Sequence, residues 1–249
     1  MRTIRIYLDQ PLKIGLEVAL PEQAAVHVVR VLRLRRGDSL VLFNGDGSDY
    51  ACELVEAGPR EVRARVLSSD AAAGESPLRI TLAQALARGE KMDWIVQKAT
   101  ELGVAEIIPL ITERSEVKLD GARAGKRVEH WRGVAIGACE QSGRARIPAV
   151  RAPEPLSAWL QSLDQSLDSR GTGTRLALLP AGESTPRALG RIENEVLLAV
   201  GPEGGFGESD LAALRAAGFR GLSLGPRVLR TETAGLAAIA ALQALYGDL

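Results

Sequence analysis

The rhythm of apolar and polar positions changes near residue 70. Before that point the apolar runs are short: Arg5-Ile-Tyr-Leu8, Ser39-Leu-Val-Leu-Phe43, Tyr50-Ala-Cys-Glu-Leu-Val55 and Glu61-Val-Arg-Ala-Arg-Val-Leu67. The last alternates strictly, which predicts a half-buried strand. Asn44-Gly-Asp-Gly-Ser48 supplies the residues a hairpin turn needs. Pro21–Gly37 predicts a helix in its early part, with Arg30, Arg33, Arg35 and Arg36 loaded at its end. Short strands with one helix predict a small β-barrel over residues 1–70. Ser68–Pro77 is poor in bulky apolar residues and reads as a linker, placed at 71–77.

From residue 78 onward strands and helices alternate. Leu78–Ala83, Glu106–Thr112, Arg175–Pro180, Val196–Val200 and Gly221–Leu224 predict strands, the second with a proline, Pro109, inside it. Met92, Ile95, Ala99 and Leu102 share one face of a helix over Lys91–Gly103, with Gly103 suited to its C′ position. Further helices are expected over Lys126–Gln141, Leu211–Gly218 and Ala234–Tyr246. Asp164–Thr174 reads as a flexible polar loop. This alternation predicts an α/β domain over 78–249 with a mainly parallel sheet. The last helix is apolar on nearly every side, through Leu236, Ile239, Leu242, Leu245 and intervening alanines. Such a helix must be covered, by the core or by another subunit.

Composition changes this picture little. The chain has 249 residues, 46% of them hydrophobic and 25% charged, with a formal net charge of zero. No global field draws it to nucleic acid, so any such contact must be local. Cys52 and Cys139 match no ligand spacing and read as free thiols packing in a reducing cytosol. His27 reads as structural, and with His130 as the second of two histidines no metal site is expected. Met1–Asp9 carries early charges and no apolar h-region, so no signal peptide is expected, and no apolar run approaches the roughly eighteen residues of a membrane span.

Chemistry concentrates in two loops. Val196–Val200 runs into Gly201-Pro-Glu-Gly-Gly-Phe-Gly207, and Leu222-Ser-Leu224 runs into Gly225-Pro-Arg-Val-Leu-Arg-Thr-Glu-Thr-Ala234. Loops at the carboxyl ends of parallel strands are where such sheets hold ligands. The first loop lacks the Gly-Lys-Ser/Thr of a phosphate loop and the spacing of a dinucleotide fingerprint, and Glu203 would repel phosphate. It suits a ligand without phosphates, or no ligand at all if it is only a tight turn. The second loop, and Leu179-Pro-Ala-Gly182, favour one shared pocket.

Together with Lys98-Ala-Thr-Glu-Leu-Gly-Val104, Glu140-Gln-Ser-Gly-Arg144, Arg5-Ile-Tyr7 and His27-Val-Val-Arg-Val-Leu-Arg33, these loops give the chain a resemblance to the RsmE family along nearly its whole length. That family methylates N3 of a uridine in 16S rRNA. Gly207 departs from the pattern, standing where a serine is common, with consequences for the cap of the next helix. The resemblance implies a SPOUT-type α/β domain with a trefoil knot, preceded by a PUA-like barrel. It implies S-adenosylmethionine as methyl donor, a homodimer, the small ribosomal subunit as partner, a cytoplasmic setting, and neither membrane nor metal.

On that reading the donor is held by Leu179, Pro180, Gly201, Pro202, Glu203, Gly204, Gly205, Leu224, Gly225, Leu229 and Thr231. Arg114 and Arg230 are expected to steady the uracil anion or a phosphate. Glu232 is a candidate base or simply a helix-start acid, and Glu203 is its rival. RNA contacts are expected from Arg30, Arg33, Lys91, Lys98 and Arg227, with Trp94 offering a stacking face beside the two lysines. Glu140 and Gln141 either line the pocket or face solvent. Gly204→Val is expected to block donor binding. Other rRNA sites or tRNA, an inactive RNA-binding assembly factor and, more distantly, a nucleotide-dependent oxidoreductase are the competing readings.

Overall fold

The structure is a computed structural model that describes residues 3–58, 61–116, 121–165, 173–192 and 194–249. The chain falls into two compact units, Met1–Glu75 with Cys139–Ile147, and Ser76–Ala138 with Pro148–Leu249.

In the first unit the strands are β1 (Arg5–Tyr7), β2 (Glu17–Ala19), β3 (Ser39–Phe43), β4 (Ser48–Ala57) and β5 (Val62–Ala71), in the order β1-β3-β4-β5-β2. Only β1 and β3 run parallel. The hairpin is fixed by its own side chains: Asn44 Oδ1 accepts the Asp46 N–H, and Asp46 accepts from the Ser48 N–H and the Tyr50 hydroxyl. Ile6, Val18, Val28, Leu42, Leu54 and Ala64 share one core, so the sheet curls around a single interior. β2 carries one buried residue and was too short to show periodicity. β5 runs on to Ala71, paired with Ser48, so Ser68–Ala71 is strand rather than linker.

The helix α1 (Glu22–Val26) passes into a π-helical turn, His27–Val31. It ends at Arg33, whose φ of 56° is the one left-handed non-glycine conformation among the described residues. Glu140 accepts the Tyr7 N–H at 3.0 Å, and Arg144, almost fully buried, pairs with Glu75 at 2.9 Å. The Glu140–Arg144 motif therefore serves the core of this unit. Both cysteines are buried, and burial pushes the Cys52 thiol to about 11 and the Cys139 thiol to about 12.

The second unit contains β6 (Arg79–Ala85), α2 (Lys91–Glu101), β7 (Glu106–Ile111), most of α3 (Gly121–Ser142), β8 (Ala149–Val150), β9 (Glu154–Pro155), α4 (Leu156–Gln165), β10 (Thr174–Leu178), β11 (Glu195–Val200), α5 (Glu208–Ala216), β12 (Arg220–Leu222) and α6 (Thr231–Tyr246). Its sheet is parallel throughout, ordered β12-β10-β11-β6-β7-β8 with β9 also on β7. Helix α4, unmarked in the sequence reading, buries Trp159 and Leu160 against one face with Phe206, Leu214 and Phe219. The predicted polar loop lies largely outside the described residues.

Two local features explain themselves. Helix α2 ends as expected at Gly103, with Val104 N–H on Ala99 O and Gly103 N–H on Thr100 O, the paired bonds of a Schellman cap. Pro109 is tolerated inside β7 because its nitrogen faces the gap between β8, which pairs with Glu106 and Ile107, and β9, which pairs with Leu110 and Ile111.

Beyond the sheet edge the chain crosses itself. Leu222 pairs with Leu178 of β10 and also bridges Ser184, so residues 221–223 run beneath the loop that leaves β10. A Cβ on Gly182 would run into the backbone of Leu222 and Ser223, and one on Gly221 would sit 3.1 Å from Gly182 Cα. Glycine at both positions allows this close approach of the two stretches. Helix α6 then packs on β6, β11 and α2. Among the described residues no helix is long and apolar enough to cross a membrane.

Candidate functional site

The carboxyl ends of β10, β11 and β12 open onto one cavity of about 510 Å³. Its walls are Leu179 and Pro180 after β10, Gly201–Gly205 after β11, and Leu224, Gly225 and Arg227–Arg230 after β12. Thr231 and Ala234 of α6 and Lys91 of α2 complete it. The eleven residues expected around the donor all line this space. Arg230, Arg227 and Lys91 line it too, whereas Arg114, Glu232, Lys98, Arg30, Arg33, Glu140 and Gln141 do not.

The glycine loop is held by side chains from several elements. Glu203 is held in place in the wall: its Oε1 accepts the Arg88 N–H at 3.1 Å and lies 2.9 Å from Lys91 Nζ. Lys91 also stands 3.4 Å from Glu232 Oε2, which is buried and otherwise unpartnered. Burial pushes the Glu203 carboxyl up, but the hydrogen bonds from Lys91 and backbone N–H groups outweigh it and leave it below the ordinary glutamate value. The hydrogen bond to Glu203 raises Lys91 in turn. One ammonium thus ties the first loop to the start of α6.

A second tie is buried. Gln84, fully enclosed at the end of β6, donates from Nε2 to Thr231 Oγ1 at 3.0 Å, and the Thr231 hydroxyl donates to Gly201 O at 2.6 Å. Gln84 was missed in the sequence, although an amide inside the apolar run Ile80–Ala87 is a signal in itself, since a buried amide needs partners. Arg114 reaches the outside of the loop, its Nη1 donating to Gly204 O at 2.9 Å.

The glycines are not equivalent. A Cβ at Gly204 would meet the Arg114 side chain at 3.6 Å, in ordinary contact, so Gly204→Val probes the back of the loop rather than the cavity. Gly205 (φ 68°) and Gly225 (φ 107°) have open space around them and a backbone conformation that side chains avoid. They are the sharper probes.

Chemically, the cavity offers apolar side chains from Leu178, Leu179, Val200, Leu222 and Leu229 together with loop backbone. Lys91 is engaged by carboxylates and is not available to phosphate. Such a site fits a nucleoside-like ligand without phosphates. Arg227 and Arg230 add two exposed guanidinium groups at its rim. Elsewhere, Trp94 is 53% exposed with Lys98 Nζ 5.0 Å from its ring centre, and Lys98 also pairs with Glu101. Arg30, Arg33, Arg35, Arg36 and His27 are exposed on the first unit, while His130 pairs with Asp93.

Comparison with known proteins places these features. Residues 74–243 match a family described as an RNA methyltransferase domain, and residues 20–67 match an RNA methyltransferase PUA domain. The ribosomal RNA small subunit methyltransferase E of Buchnera aphidicola (from Schizaphis graminum) is 34% identical over 248 residues, covering 100% of this chain and 98% of its own. That of Bacillus subtilis is 34% identical, covering 89% of each chain. Among solved structures, a methyltransferase of Legionella pneumophila with bound SAM superposes with a TM-score of 0.91 at 42% identity over 100% of both chains. The small subunit methyltransferase E of Neisseria gonorrhoeae, bound to S-adenosyl methionine, gives 0.90 at 37% identity, again over 100% of both. The chain belongs to the ribosomal RNA small subunit methyltransferase E family, pairing an RNA methyltransferase PUA domain with an RNA methyltransferase domain.

Proposed function

We propose that this protein is an S-adenosylmethionine-dependent methyltransferase that modifies N3 of a uridine in 16S rRNA. The observation that carries this reading is the glycine-walled cavity with apolar side chains where three strand-end loops meet. S-adenosylmethionine would supply a methyl group on a sulfonium: the deprotonated uridine N3 attacks the methyl carbon, the sulfur–methyl bond breaks, and S-adenosylhomocysteine leaves. Leu179, Pro180, Gly201–Gly205, Leu224, Gly225 and Leu229 hold the donor, with Thr231 fixing Gly201 from behind.

Uridine N3 must lose a proton, and the uracil then carries negative charge. Arg230, at the cavity rim, is placed to stabilise that charge. Glu203, in the cavity wall, and Glu232, beside Thr231, both pair with Lys91 and are the two rival acids for the N3 proton. Arg114 acts through the loop, holding Gly204. RNA is engaged by Arg30 and Arg33, by Arg227, and by the face of Trp94 with Lys98 over its ring, while Lys91, paired with Glu203 and Glu232, stays with the loop. The strained conformation of Arg33 supports a working role for that turn.

The active form is a homodimer in the cytoplasm. Helix α6 keeps Leu236 and Ala240 only half-buried and Leu245 exposed within one chain, which supports a second copy against it. The test is transfer of labelled methyl from S-adenosylmethionine into small subunits that lack the modification, followed by mapping of the modified base. Label at uridine N3 of 16S rRNA is expected; no transfer to rRNA would sink the reading.

A further inference from the structure

Helix α5 begins without a side-chain cap of its own. Its N-cap is Gly207, with φ −76° and ψ 173°, an extended conformation open to any residue. The backbone therefore does not demand glycine. The space a side chain would take is filled instead: a Cβ there would meet the carboxylate of Glu113, a residue of the turn after β7, and would turn it aside. That carboxylate fills the place of a cap. Glu113 Oε2 accepts the Ser209 hydroxyl at 2.6 Å and the Ser209 N–H at 3.3 Å. The Ser209 N–H is one of the free donors of the first helical turn, which an N-cap side chain ordinarily accepts.

The exchange is reciprocal. Asp210, buried in the first turn of α5, accepts the Gly207 N–H at 3.1 Å and the Glu113 N–H at 3.1 Å. A capping box is thus divided between two distant stretches of chain. Arg114, the next residue, holds Gly204 O. Glu113 and Arg114 together grip both ends of Gly204–Gly207, the stretch whose first two glycines wall the cavity.

We propose that Glu113 is a positioning residue of the donor site: its carboxylate caps α5 in place of a side chain at Gly207 and so sets the glycine loop before the donor binds. This rests on the methyl-donor reading above. The hydrogen bond from Ser209 holds the Glu113 carboxyl below its ordinary value, so the cap is ionised at neutral pH.

The arrangement predicts a rescue that simple loss of structure cannot give. Binding of S-adenosylhomocysteine is measured by calorimetry on the full chain, with melting temperatures alongside. Glu113→Ala should bind about fivefold more weakly, the size of a lost cap. Adding Gly207→Ser to it places a hydroxyl at the N-cap and should restore affinity to within about twofold of the unaltered protein. Gly207→Ala should match Glu113→Ala, because its methyl displaces the carboxylate and offers no acceptor. Gly207→Ser alone and Glu113→Gln, which keep an acceptor, should bind nearly normally. Normal binding by Glu113→Ala, or no restoration by the serine, overturns the proposal. No heat with the unaltered protein overturns the donor reading itself, and the proposal with it.

Discussion

The two loops that face each other across the cavity are built differently. The glycine loop after β11 is tied down from every side: Glu203 to Lys91 and Arg88, Gly204 to Arg114, Gly201 to Thr231, and α5 to Glu113. The loop after β12 is anchored at its root, where the Ser223 N–H meets Ser184 O at 2.8 Å. Gly225, Pro226, Arg227 and Val228 are exposed, Val228 at 81%. One wall is set in advance, and the other is left to close on what it binds. Preorganised groups lose less entropy on binding, while a free wall can answer to a second ligand such as RNA.

The same substitution in the two walls should break this comparison most visibly. Gly205→Val forces a β-branched residue into φ 68° on the fixed wall. It should weaken S-adenosylhomocysteine binding about a hundredfold by calorimetry. Gly225→Val meets a comparable backbone conflict on the free wall, where the chain can shift, and should cost about tenfold. Equal losses would mean the walls are equally rigid.

Lys91→Met comes next. It leaves Glu203 and Glu232 with no cation between them and should raise the donor KM about tenfold, with Lys91→Arg restoring most of it. The pH dependence follows in sign. Glu203 is lowered in the folded protein, so its contribution is present above the ordinary glutamate value of 4.5 and is lost as pH falls through the lowered one. Lys91 is raised, so its contribution is present below 10.5 and is lost only as pH climbs through its raised value. Donor affinity should stay level between these limits, read by calorimetry across pH. The smallest effect belongs to the rim: Arg227→Ala should leave donor affinity unchanged, weaken rRNA binding and reduce the salt slope by about one.

Of the fixed wall, the loop itself is legible in the sequence and its support is not. Gly201–Gly207 and Leu224–Ala234 announce a pocket because glycine, proline and a lone acid cluster at strand ends. The eleven residues that the family resemblance assigns to the donor line one cavity. The ties behind them come from residues far away in the chain, and no period or spacing links Glu113 to Ser209 or Gln84 to Thr231. The pairing of Glu203 with Lys91 is not legible because Lys91 lies in another element. The short strands β2, β8 and β9 carry too few residues for a period to emerge, and α4 begins directly on a strand with no polar start signal. Glu140 and Gln141 read as pocket lining or as a solvated face, whereas Glu140 accepts the Tyr7 N–H and the nearby Arg144 pairs with Glu75.

The difference between the walls can be read directly by amide hydrogen exchange with and without S-adenosylhomocysteine. Residues 201–207 should already be protected in the free protein and change little, while residues 223–230 should exchange fast when free and slow clearly on binding. A glycine loop that exchanges as fast as its partner, and gains the larger protection from ligand, would contradict the account.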